Sequence, residues 1–324
     1  MNSIRKHIID ILHKNKNKYI SGAEISQNLD VSRTTVSNHI KELRKKGYQI
    51  HSKTNKGYFL EDIPEKIVEE EIYHTLKTEM IGKNIKCFDE VLSTNTRAKK
   101  LAESMPSGTL VIAEQQTKGK GRRGRKWFSP AGEGLWFSLI LCPDIEPEKL
   151  PLLTMAGALA VKEALDKYPK LESLLKWPND VLIRGKKVCG ILSEINAEID
   201  KINYAVTGIG INVNQNKFPD ELAGKAISIK KVLKKRVNRY KLLGDILLIF
   251  EKYYQKIISG KEEAIINLWK SNLNILQKTV SIEREGKTYQ GRVIDLSSRG
   301  ELILKDKNNK IHNFWTGDTS IIDD

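Results

Sequence analysis

Cysteine is scarce in this sequence: Cys87, Cys142 and Cys189 are scattered and odd in number, with no CxxC pair. That argues against a disulfide framework and against a zinc site. Long apolar runs are missing too. The longest, around Leu135–Leu141 and Ile246–Phe250, fall far short of the roughly 20 residues a membrane-spanning helix needs. The opening MNSIRKHIID has no unbroken apolar stretch of the secretory-signal kind, so a cytoplasmic address with no membrane attachment is expected. Two phosphate-binding fingerprints also fail. Gly208-Ile209-Gly210 is followed by Val213 where the dinucleotide motif needs glycine, and Gly286-Lys287-Thr288 is preceded by Ser281 where a Walker A loop needs one. A phosphate-handling protein built on this chain must use another device.

What is present is a 324-residue chain of 40% hydrophobic and 29% charged residues with a net charge of +15, long enough for two or three domains. The charge is uneven. Residues 1–60 hold twelve Lys/Arg against four Asp/Glu, and six of the nine residues Lys118–Lys126 are basic. A polyanion partner fits both concentrations, and so does a solvated basic face.

Ile4, Ile8, Ile11 and Leu12 form a stripe at helical spacing over residues 3–14. Ser21-Gly22-Ala23-Glu24 reads as a capping box opening a short helix to about Asn28. After the turn Asp30-Val31, Ser32 is placed to cap a second helix with Val36, Ile40 and Leu43 inward, ended by Gly47. Its outer face carries Arg33, Thr34, Thr35, Ser37, Asn38 and Lys41, which with Ser32 are the candidate DNA-binding residues. Tyr48–Leu60, turning at Asn55-Lys56-Gly57, supplies a wing. This segment resembles winged-helix transcriptional regulators; a helical bundle used for protein contact is the alternative. Glu61–Glu71, with Pro64 and six acids, reads as a polar linker.

From Tyr73 to Lys270 strands are expected at Ile85–Val91, Thr109–Gln115, Leu135–Leu141, Ser173–Lys176, Val181–Ile183, Lys187–Glu194 and Tyr204–Val213. Helices are expected at Thr96–Ser104, Pro147–Tyr168 and Tyr240–Ser259, making a mixed, largely antiparallel α+β sheet domain. Residues 277–324 read as a small all-β unit with strands at Val280–Glu283, Lys287–Leu296, Leu302–Lys305 and Lys310–Trp315. The stretch Gly119-Lys120-Gly121-Arg122-Arg123-Gly124-Arg125-Lys126-Trp127 can turn its backbone N–H groups toward an anion, with interleaved cations adding attraction and forked hydrogen bonds. An RNA-binding basic loop is the plainer reading of that stretch by itself.

Four motifs occur in order: GKGRRGRKW, then Lys176-Trp177-Pro178-Asn179-Asp180, then Lys187-Val188-Cys189-Gly190-Ile191-Leu192, then Gly208-Ile209-Gly210-Ile211-Asn212-Val213-Asn214. In that order, and with the winged head, the chain resembles the bifunctional biotin–protein ligases that double as biotin-operon repressors. The family usually has Arg where this chain has Lys120, which keeps the charge and loses the guanidinium fork. The resemblance implies a head at 1–62, a class II synthetase-like catalytic domain at 63–275 and an SH3-like barrel at 276–324. It implies biotin binding by Ser93, Thr94, Asn95, Gln116, Lys120, Gly121, Arg122 and Lys187, and adenylate binding by Arg122, Arg123, Arg125, Trp127, Asn179 and Asn212. Lys187, Arg122 and Lys120 are then the catalytic cations, with no protein-held metal, and Asp180 a candidate base.

The activity implied is formation of biotinyl-5′-AMP from biotin and ATP with Mg2+, then transfer to a lysine of a biotin carboxyl carrier protein such as that of acetyl-CoA carboxylase. Operator DNA and a ligand-promoted homodimer are the other implied partners. The residues read one at a time leave plainer roles open. Ser93-Thr94-Asn95 suits a helix cap, Trp177 and Pro178 a buried aromatic and a turn, Cys189 a small core residue. A lipoate–protein ligase, or a ligand-sensing transcription factor without ligase activity, are the rival readings. Three glycines in the basic loop predict a segment that orders around an anion.

Overall fold

The computed structural model describes residues 2–199 and 202–322, and contacts divide it between Lys77 and Thr78 into two units. In the first, helices α1 (Asn2–Lys14), α2 (Gly22–Asn28) and α3 (Arg33–Lys45) precede a hairpin of β1 (Gln49–Lys53) and β2 (Gly57–Asp62). Ile8, Ile9, Leu12, Ile25, Val36, Ile40 and Leu43 are buried as its core. Ile9 takes the inward place expected of Ile11, which is half-buried. Ser21 accepts from the Glu24 N–H and Ser32 from the Thr35 N–H, both at 3.0 Å, so both serines cap their helices, which forms the Ser21 half of the capping box.

The segment read as a polar linker is different. Residues Glu69–Thr75 form α4, which packs on α1, and Glu70 and Glu71 are 1% and 2% exposed. Lys46 Nζ and Arg5 Nε lie 2.6 and 3.1 Å from Glu70, and His13 Nε2 lies 3.1 Å from Glu71. The acids are buried against the basic stripe of the head, a tertiary pairing that composition cannot display.

The second unit opens with β3 (Ile85–Val91), α5 (Thr94–Leu101), β4 (Thr109–Gln116), β5 (Gly134–Leu141) and α6 (Leu150–Asp166). It continues through β6 (Ser173–Lys176), β7 (Asp180–Ile183), β8 (Lys186–Ala197), β9 (Ile202–Asn212), α7 (Ile229–Leu233), α8 (Arg239–Ile258) and α9 (Glu263–Asn272). The sheet order is β3-β4-β5-β9-β8-β7-β6, antiparallel except for β3 beside β4. Side chains alternate across it. Ile191 and Ile209 point to one face, where Gly157 of α6 lies against them, which leaves the neighbouring glycines Gly190, Gly208 and Gly210 on the other.

The C-terminal module, expected as an SH3-like barrel, is a five-stranded antiparallel sheet of β10 (Thr279–Arg284), β11 (Lys287–Leu296), β12 (Leu302–Asp306), β13 (Ile311–Phe314) and β14 (Asp318–Ile321). Its order is β13-β12-β11-β10-β14. Helix α9 and strand β14 were not foreseen. Trp177, buried at the β6–β7 turn, donates to the Gly300 carbonyl at 3.1 Å and so ties the two sheets together. Cys189 is fully buried on β8, as a core residue should be, and burial pushes its thiol well up. No described helix is long and apolar enough to cross a membrane.

Candidate active site

On the glycine face lies a cavity of about 220 Å³. Its floor is made by cross-strand partners Gly190 and Gly210, against which the Trp127 indole packs. A Cβ on Gly210 would strike Trp127 Nε1, and one on Gly190 would sit 3.0 Å from its ring. Two residues back along β9, a Cβ on Gly208 would strike Asn95 Oδ1. The alternating glycines of Gly208-Ile209-Gly210 therefore serve as seats for two side chains, not as a phosphate loop.

One end of the cavity is a neutral hydrogen-bond network. Gln116 Oε1 accepts from the Thr94 N–H and hydroxyl at 2.8 and 3.1 Å, and Gln116 Nε2 donates to Ser129 Oγ at 2.8 Å. Buried Ser138, on the central strand β5, has its hydroxyl 2.8 Å from Thr94 Oγ1 and 2.7 Å from Asn95 Oδ1. Ser93 is the residue that begins α5, with Thr94 and Asn95 in its first turn; all three are buried, and Ser93 makes no side-chain cap bond.

The other end is charged. Lys187 Nζ lies 2.6 Å from Asp180 Oδ1 and 5.2 Å from the Trp127 ring centre. The basic stretch closes on itself: the Trp127 N–H donates to the Gly119 carbonyl at 2.9 Å and the Gly121 N–H to the Arg125 carbonyl at 2.7 Å. Its tip turns through left-handed Arg123 and Gly124, at φ 54° and 73°. Arg122 Nη1 donates to Asn179 Oδ1 at 3.1 Å, and its other nitrogen donates to the Thr316 hydroxyl. Burial draws the Arg122 guanidinium below its ordinary range, with Asp180 and Asp318 acting the other way. Arg123 and Arg125 both pair with Asp318 of β14. Burial alone would raise Asp318; the hydrogen bond from Arg125 and the charges of Arg125, Arg123 and Arg122 outweigh it and hold the carboxyl below the usual range. The same bond raises Arg125.

Ser93, Thr94, Asn95, Gln116, Lys120, Gly121, Arg122, Arg125, Trp127, Asn179, Lys187 and Asn212 all line the cavity. Arg123 is not among the lining residues; its side chain is directed to Asp318 and the Glu283 carbonyl. Asn179 and Asn212 are spoken for by backbone: Asn179 Nδ2 donates to the Ile191 carbonyl at 2.7 Å, and Asn212 Nδ2 to the Lys187 carbonyl at 3.4 Å. Asp180, read as a turn carboxylate or a base, is Lys187's ion-pair partner.

Contributors not foreseen include Ser138, Asp318, Phe218 and Leu222. The last two come from the segment after β9, where the Lys187 N–H donates to the Lys225 carbonyl at 2.8 Å and Phe218 packs edge-on to Phe128. An aromatic stranded in the polar run Gln215–Asp220 was the available signal. In the first unit, α3 exposes Arg33, Thr34, Asn38 and Lys41, while Ser37 and Thr35 are half-covered and Ser32 is engaged in capping.

Residues 87–212 match the Biotin/lipoate A/B protein ligase family, and residues 4–59 match an HTH domain family. The chain is 39% identical over 322 residues to the bifunctional ligase/repressor BirA of Bacillus subtilis, covering 98% of this chain and 99% of that one. Against BirA of Escherichia coli the identity is 25% over 292 residues, 89% of this chain and 88% of the other. Among solved structures, a biotin protein ligase from Aquifex aeolicus in complex with biotin and ATP is 31% identical and superposes with a TM-score of 0.64, covering 74% of this chain and 99% of that chain.

Proposed function

Because this chain belongs to the biotin/lipoate A/B protein ligase family, as one of its bifunctional ligase/repressors, we propose how its cavity and its head divide the work. The chain joins biotin to ATP to give biotinyl-5′-AMP and pyrophosphate, then passes the biotinyl group to a lysine of a biotin carboxyl carrier protein. The arrangement that carries this reading is a single cavity with a neutral donor–acceptor network at one end and Lys187 and Arg122 at the other. A ring urea fits the first, since Thr94, Asn95 and Gln116 both donate and accept. A carboxylate meeting a phosphate needs the second.

In the first step a carboxylate oxygen of biotin bonds to the α-phosphorus as the bond to pyrophosphate breaks. Two anions must approach, and charge builds on the phosphate oxygens. Lys187, Arg122, Lys120 and Arg125 stand where they offset both, worth roughly 3–4 kcal/mol per well-aimed group. Asp180 positions Lys187 through their ion pair. Mg2+ would come with the nucleotide and would supply the remaining positive charge, since no cluster of three His, Cys, Asp or Glu suited to a metal exists among the described residues. Trp127 and Phe218 offer aromatic faces to the adenine. The buried Trp127 Nε1–H has no protein acceptor and can donate to bound nucleotide. In the second step a neutral amine attacks the activated carbonyl, the carbonyl–oxygen bond breaks with its electron pair leaving on AMP, and the amine's proton is lost to the departing phosphate or to solvent.

The winged head reads operator DNA through Arg33, Thr34, Asn38 and Lys41, and Ser32, Thr35 and Ser37 shape the start of the same helix. A two-fold homodimer matches two half-sites of a palindrome. A cytoplasmic address follows from these partners. Biotin-dependent ATP–pyrophosphate exchange, with lipoate as competitor, tests the assignment: no exchange with biotin, or preference for lipoate, would overturn it. Gel shift of a biotin operator with and without biotin and ATP tests the switch, and equal affinity in both states would refute it.

A further inference from the structure

We infer that Glu194, held in place by Lys99, is the positioning residue that sets which way round the Asn95 carboxamide sits, so that Asn95 offers the ligand an acceptor and not a donor. The inference rests on the function proposed above and specifies the polarity of its biotin end.

Asn95 lines the cavity, whereas Glu194 and Lys99 do not. A carboxamide fits its pocket almost equally well either way round, and only its partners decide between oxygen and nitrogen. Two partners on one side of Asn95 accept and cannot donate. They are the Leu192 carbonyl at 3.1 Å and Glu194 Oε2 at 2.8 Å. Each demands an N–H, so Nδ2 faces them and both its hydrogens are spent. Oδ1 is thereby turned toward Ser138, 2.7 Å away, and onto the bare Cα of Gly208. An amide oxygen accepts two hydrogen bonds, and Ser138 has one proton to give. One acceptor position on Asn95 is left for a ligand N–H.

Ser138 cannot enforce this by itself, because a hydroxyl donates or accepts as required. The Leu192 carbonyl occupies only one of the two hydrogens. The carboxylate supplies the stronger, charge-assisted bond. Its other oxygen pairs with Lys99, one turn beyond Asn95 on α5, so the helix that carries the amide also carries the clamp on its orienting group. A ring urea has two N–H donors and one carbonyl. A site that presents only an acceptor at Asn95 selects an N–H there, and a ring with no N–H gains nothing from it.

The test is steady-state pyrophosphate exchange by the full chain, with biotin varied. Glu194→Leu should raise KM for biotin about 30-fold with kcat changed under about threefold, because the lost bond is charge-assisted. Glu194→Gln keeps an acceptor oxygen and should stay within about threefold of wild type. If Glu194 acts only through Asn95, the double variant Asn95→Ala/Glu194→Leu should be no worse than Asn95→Ala alone, a non-additivity that a general structural role does not produce. Lys99→Glu sits on a part-exposed helix face and leaves the core intact. By repelling the Glu194 carboxylate it should raise biotin KM about tenfold, which keeps the question answerable if Glu194→Leu unfolds. Wild-type KM in Lys99→Glu, or a double variant whose loss is the product of the single losses, overturns the inference while leaving the ligase assignment standing. Absence of biotin-dependent exchange in the wild type overturns both.

Discussion

The two ends of the cavity are built from opposite materials. At the Thr94–Asn95–Gln116 end the groups are buried and neutral, and they are locked to central strands by hydrogen bonds of 2.7–3.1 Å. At the Lys187–Arg122 end they are charged, part-exposed, and balanced against two carboxylates, Asp180 and Asp318. Neutral buried groups respond little to salt or pH except through the Glu194–Lys99 pair behind Asn95, and they discriminate by leaving a wrong ligand's partners unpaired. Charged part-exposed groups can exchange one anion for another, since each carboxylate stands where a ligand oxygen can replace it. The proposed function gives recognition to the neutral end and turnover to the charged one.

The sharpest way to break that division is to remove its central cation. Lys187→Ala should lower the rate of biotin-dependent exchange by about 10²- to 10³-fold with the melting temperature little changed. Exchange within threefold of wild type would take Lys187 out of the chemistry. Next in size is the floor. A methyl on Gly210 enters the Trp127 indole, so Gly210→Ala should weaken nucleotide binding by about 10- to 100-fold. Calorimetry should show that loss for ATP with biotin affinity less affected; equal losses for both ligands would mean that the two ends are not separable.

Arg122 links the charged end to both sheets through Asn179 and Thr316. Arg122→Gly should release biotinyl-5′-AMP about tenfold faster, because the two charge-assisted bonds to Asn179 and Thr316 are lost from the closed stretch. Labelling of bystander proteins by the released adenylate is the readout, and labelling confined to the carrier would contradict it.

Much of this was legible in the sequence, and unequally so. Strands with strong apolar runs, such as Gly134–Leu141, were read to within a residue, because burial on both faces leaves a continuous signature. The motif residues around Lys176–Asp180 and Lys187–Leu192 do converge on one cavity. What escaped depends on distance in sequence. Asp318 meets Arg125 across 193 residues, Ser138 meets Asn95 across 43, and Glu70 is paired with Arg5 of α1 and with Lys46, just past the end of α3. No spacing rule reaches so far, and a lone Asp near the end of a chain looks like any solvated acid. The glycines of β9 were visible as a motif but not as seats, since their purpose lies in Asn95 and Trp127.

The smallest expected effect is the most diagnostic of the comparison. Asp318→Asn removes the carboxylate that holds Arg123 and Arg125 but touches no residue of the neutral end. Both arginines are exposed, so the loss should be modest, about a two- to fivefold faster adenylate release at low salt. Raising the salt should speed release from the wild type toward that of the variant, because the pair is screened over about 8–10 Å. The pH dependence has a definite sign. The Asp318 carboxyl is held below the ordinary range, so the pairing is fully present above the unfolded-state value and is lost only as pH falls through the lowered one. The gap between wild type and Asp318→Asn should therefore stay constant from about pH 8 to pH 5 and close only below about pH 4. A gap that closed near neutrality, or one insensitive to salt, would show that Asp318 acts through packing in the C-terminal sheet, and the charged end would then be as fixed as the neutral one.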